Sequence, residues 1–187
     1  ERVDSSTEAT SIFVIKHAAD GTIEWQKSYT LSTLDDVAGA FGTSDGGVIL
    51  GGNTRIADGS GVEQDFYVMK LTSTGAVDWA TAVDLDFNRS DDQNATVFVA
   101  NSLEESGLGD ILIAGIANLD SDNTSLSPSE QYEPLVIEMT GGGAPSAAYA
   151  LDYAGFQDVG DVLHVGADRY ILVGLTEDTQ GGATYFA

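Results

Sequence analysis

The chain has 187 residues, 30 of them acidic and 7 basic, giving a formal net charge of −23 at pH 7. Three lysines and four arginines, scattered from Arg2 to Arg169, make no basic face, which excludes phosphate-driven nucleic-acid binding and disfavours anionic membrane surfaces. An apolar content of 42% is enough for a core, no apolar run approaches the ~20 residues that cross a bilayer, and the lack of cysteine excludes disulfides and thiolate chemistry.

Along the chain, residues 12–25 (IFVIKHAADGTIEW) read as an alternating apolar strand ending at Lys16, a turn closing on Gly21, and a second strand carrying Trp25. Residues 37–55 (VAGAFGTSDGGVILGGNTR) follow as a hairpin whose two apolar strands flank a Ser-Asp-Gly-Gly turn. Residues 66–79 (FYVMKLTSTGAVDW) repeat the first segment, with Lys70, Gly75 and Trp79 in the same relative places. After the acidic stretch 84–94, residues 94–118 form a second copy of the hairpin. Residues 134–147 (PLVIEMTGGGAPSA) are a degenerate third copy of the lysine–glycine–tryptophan segment, in which Gly143 is kept but Glu138 replaces lysine and Ala147 replaces tryptophan. Residues 157–177 are the third hairpin, and residues 183–187 resemble the opening of the strand that begins DFYVMK earlier.

The second strands of the three hairpins align on Gly52, Gly115 and Gly174, so the unit is about 60 residues long with four strands. The units run approximately over 11–64, 65–131 and 132–187. No window carries a 3.6-residue apolar period, so the chain is expected to be all-β. Four short antiparallel strands per unit is the blade of a β-propeller, with a β-trefoil or β-prism as the alternative. Small side chains from Val37 to Gly42 suit the crowded inner strand of a blade, and Gly51 and Gly52 suit a close backbone approach in the next strand. That phase groups residues 37–84 and 94–152 as four-strand units, 157–187 as part of a third, and 12–30 as the outer half of a preceding one. Trp25 and Trp79 would stand on the outermost strands as buried anchors across the seams between sheets.

The pattern F-x-V-x-K, a glycine turn, x-x-x-Trp and then S-D-G-G-x-I-L-x-G resembles the bacterial secreted β-propeller repeat family. It is also similar to the tryptophan-docked blades of quinoprotein-type propellers. The resemblance covers roughly residues 11–187. It implies an extracellular or cell-surface scaffold and leaves the activity open.

Few residues combine into chemistry. Gly42-Thr43-Ser44-Asp45-Gly46 matches G-x-S-x-G, but an apolar strand follows it where a nucleophile elbow needs a helix, so it reads as a hairpin turn. His17 stands beside the first turn, and His164 lies within an apolar strand as a core or channel-lining residue. Two isolated histidines make no zinc set. Two acidic loops space oxygen ligands at alternate positions in a manner that suits Ca²⁺: Asp84, Asp86 and Asn88 with Asp91 beyond, and Asn118, Asp120 and Asp122. Both lack the glycine and glutamate of an EF-hand, and the plain alternative is a solvated polar loop.

The expected function is therefore a non-catalytic extracellular structural or adhesive module that contacts further repeats of the same polypeptide or like subunits. The longer loops, 84–94 and 118–132, are its expected contact surface, and calcium is its one candidate cofactor. A propeller enzyme using Asp158, Asp161 and His164, and a carbohydrate-binding domain with a glycan as partner, are the alternatives. Residues 1–10 resemble the linkers that follow the glycine strands, so the chain reads as a window onto a longer or self-assembling array.

Overall fold

The structure is a computed structural model and describes residues 11–31, 36–57, 62–83, 98–106, 109–118, 132–150, 157–166, 169–177 and 183–185. Strands β1 (Ile12–His17) and β2 (Ile23–Tyr29) form the first sheet. The second is ordered β3 (Gly39–Gly42), β4 (Val48–Ala57), β5 (Val62–Leu71) and β6 (Val77–Val83). The third is ordered β7 (Phe98–Glu105), β8 (Ile111–Asn118), β9 (Tyr132–Met139) and β10 (Pro145–Ala150). The fourth contains β11 (Gln157–Gly166), β12 (Arg169–Glu177) and β13 (Ala183–Tyr185). All neighbouring strands are antiparallel, and among the described residues the sheets close neither into a barrel nor into a ring. Each 60-residue sequence unit therefore supplies the outer strands of one sheet and the inner strands of the next.

One turn design recurs at five of the strand connections. At 18–22, 43–47, 72–76, 106–110 and 140–144 the glycine in the fourth place donates its N–H to the carbonyl of the first residue. In the same five turns the first residue's N–H bonds the carbonyl of the fifth. All five glycines have positive φ, between 71° and 85°. This is a type I turn closed by a residue in the left-handed region, and it leaves a bulge in the ladder. The register indeed shifts between Lys16 and His17, Lys70 and Leu71, and Pro145 and Ala147. The turn also fixes what faces what: Lys16 pairs with Trp25, Lys70 with Trp79, and Glu138 with Ala147.

The sheets stack face to face, and strand alternation supplies apolar groups to both sides of the middle two. In the second sheet, Leu50, Tyr67, Met69 and Leu71 pack on Ile12, Val14 and Trp25 of the first. Its other face, with Ile49, Phe66 and Val68, packs on Ile111, Ile113, Leu135 and Ile137 of the third. The third sheet then turns Leu112, Ala114 and Val136 toward Val159, Val162 and Leu172 of the fourth. The unbroken run Phe66–Met69 is buried throughout because it faces a neighbouring sheet on each side.

The sheets approach one another most closely at the edge carrying the small-residue strand. Strand β7 lies across β3 and β4, and β11 lies across β7 and β8. Leu103 on β7 sits where side chains at Gly39 and Gly51 would stand; a Cβ on Gly51 would lie 2.7 Å from its Cδ2. The close approach at Gly51 thus includes a side chain of the next sheet, whereas Gly52 is crowded by the Asp36 carbonyl of its own unit.

Candidate functional site

The outer strands meet the next sheet through tryptophan. The Trp25 ring lies against Gly75, where a Cβ would come 3.0 Å from Cε3, and its Nε1 donates to the Ser73 carbonyl at 2.9 Å. Lys27 Nζ reaches the carbonyls of Thr74 (3.0 Å) and Gly75 (2.8 Å), and the Tyr29 hydroxyl also donates to Gly75 (2.7 Å). One hairpin turn therefore has three successive carbonyls satisfied by donors from the preceding sheet. Burial raises the Tyr29 hydroxyl pKa above its ordinary value. Trp79 repeats the contact one unit later, against Gly143, where a Cβ would stand 2.6 Å from its Cε3. The degenerate third copy thus receives a tryptophan although it supplies none. Both indoles are half-buried, which corrects the expectation of full burial: one ring face covers a glycine turn while the rest of the ring borders solvent.

The 43–47 turn carries charge. The Asp45 carboxylate accepts from the Thr43 hydroxyl and the Gly47 N–H (3.0 Å), and Lys70 Nζ stands 2.9 Å away. These donors, the Thr43 hydroxyl foremost, hold the Asp45 carboxyl well below the usual carboxylate range, and the same contact raises Lys70. The G-x-S-x-G match is therefore a salt-bridged hairpin turn. His17 Nδ1 lies 3.1 Å from the Gly21 carbonyl and serves its own turn in the same manner.

Asp158, Asp161 and His164 lie on β11, and β7 occupies their polar groups. Asn101 Nδ2 donates to Asp158 Oδ1 (3.2 Å) and to the Val159 carbonyl (2.6 Å). The Ser102 hydroxyl donates to Asp161 Oδ1, which also accepts the Val162 N–H at 2.9 Å. The backbone N–H of His164 bonds the Glu104 carboxylate. Three β7 side chains thus tie the third sheet to the fourth, and these bonds give the two aspartates a structural role. Beside them Ser106, Asp110, Glu138, His164, Arg169 and Tyr170 line a cleft of about 50 Å³, space for one or two waters. Desolvation, then the Glu138 charge, raises the Tyr170 pKa.

Among the described residues, the two ends of the stack carry exposed apolar side chains. On β1, Ile12 and Val14 face the second sheet while Phe13 and Ile15 face away, 74% and 41% exposed. Their equivalents one unit later, Tyr67 and Met69, are buried against the first sheet. On β12, Ile171, Val173 and Leu175 face outward and are 42% to 46% exposed. Aligned on Gly115 and Gly174, they correspond to Leu112, Ala114 and Ile116, which pack against the fourth sheet. Gly21 tells the same story: it has the φ of Gly75 and Gly143, yet nothing lies within 4 Å of its Cβ position, where the other two hold a tryptophan.

Of the calcium candidates, Asp84, Asp86, Asn88, Asp91, Asp120 and Asp122 lie outside the described residues, as does the Asn118 side chain. Among the described residues no three His, Asp or Glu side chains converge as a metal site. The β7–β11 ties were not singled out from the sequence. The apolar end faces had a signal, since alternation in β12 makes both sides apolar. The ties had none, because Asn101 and Ser102 acquire meaning only once β7 and β11 are neighbours. No family model matches the chain, and no curated protein matches it.

Proposed function

We propose that the chain is a run of β-propeller-type blades serving as a non-catalytic scaffold at the cell exterior, whose task is protein–protein contact through stacked sheets. Small inner strands, tryptophan on the outer strands and sheets apolar on both faces support the blade reading. The strongly acidic surface keeps such a scaffold soluble, and the resemblance to secreted repeats supports the exterior location. The observation that carries the contact role is the pair of exposed apolar end faces, at positions whose repeat equivalents are buried between sheets. Contiguous exposed apolar surface of this kind marks an interaction site. A panel of hydrolase and oxidoreductase substrates tests the non-catalytic part. No turnover is expected, and turnover abolished by Asp161→Asn overturns the reading.

A further inference from the structure

We draw no further inference here: the strongest candidate, the cleft of about 50 Å³ between the third and fourth sheets lined by Asp110, Glu138, His164, Arg169 and Tyr170, carries nothing because its lining mixes both charge signs, none of these polar side chains is fully buried, and nothing in the structure shows what fills it.

Discussion

The seam between the first and second sheets and the seam between the third and fourth solve one problem in two ways. At the first, the outer edge is latched: Trp25, Lys27 and Tyr29 satisfy the carbonyls of the 72–76 turn, and the ring covers Gly75. At the other, the described contacts lie at the inner edge, where Asn101, Ser102 and Glu104 bond β11. An apolar sheet face supplies general adhesion, while directional contacts at the edges set the register of neighbouring sheets; the seam between the second and third sheets has both, Trp79 on Gly143 at one edge and Asn53 bonding the Ala100 N–H at the other.

The largest expected effect comes from the glycines under the rings. Gly143→Ala must strain a left-handed backbone and push a Cβ to 2.6 Å from Trp79, which should cost about 3 kcal/mol. Gly21→Ala has the same φ and open space, so backbone strain alone applies, about 1 kcal/mol. Equal losses in urea titrations of the two variants would break the comparison. Trp25→Ala removes a half-buried ring and one hydrogen bond, and about 2 kcal/mol should be lost, less than a fully buried aromatic would lose. Ser102→Ala removes the bond to Asp161 at the other seam and should cost about 1 kcal/mol by the same titration. Combined with Trp25→Ala, the two losses should add, because the sites share no partner.

The smallest effect concerns pH. The Asp45 carboxyl is held low in the folded chain by Thr43, Lys70 and Gly47. Its contribution is thus present above the unfolded carboxylate pKa, near 4, and is lost as pH falls through the lower folded value. The Asp45 side chain is 54% exposed, so solvent screens the pair with Lys70. The melting temperature of Asp45→Asn should fall slightly less than that of the parent between pH 5 and pH 2. A steeper fall in the variant would contradict the sign.

Much of the stack was legible in the sequence. Strand alternation, the glycine at the fourth place of each turn and the recurrence of Lys16–Trp25 as Lys70–Trp79 depend on local stereochemistry, which the order of residues specifies directly. The four-strand groups 37–84 and 94–152 contain the second and third sheets, 39–83 and 98–150. The depth of the tryptophans was not legible, since exposure of a seam residue depends on how far the next sheet reaches. Nor was the contact of Leu103 with Gly39 and Gly51, or of Ser102 with Asp161, because each joins residues that only inter-sheet packing brings together.

The most direct test of the stacked-sheet account is a double-mutant cycle between Trp79 and Gly143, one on each side of a seam. Urea titrations of Trp79→Ala, Gly143→Ala and the double variant give their coupling energy. The contact predicts coupling above about 1 kcal/mol, with the cost of Gly143→Ala falling toward that of Gly21→Ala once the ring is gone. Coupling near zero, with Gly143→Ala costing as much without Trp79 as with it, would show that the ring does not rest on that turn and would contradict the account.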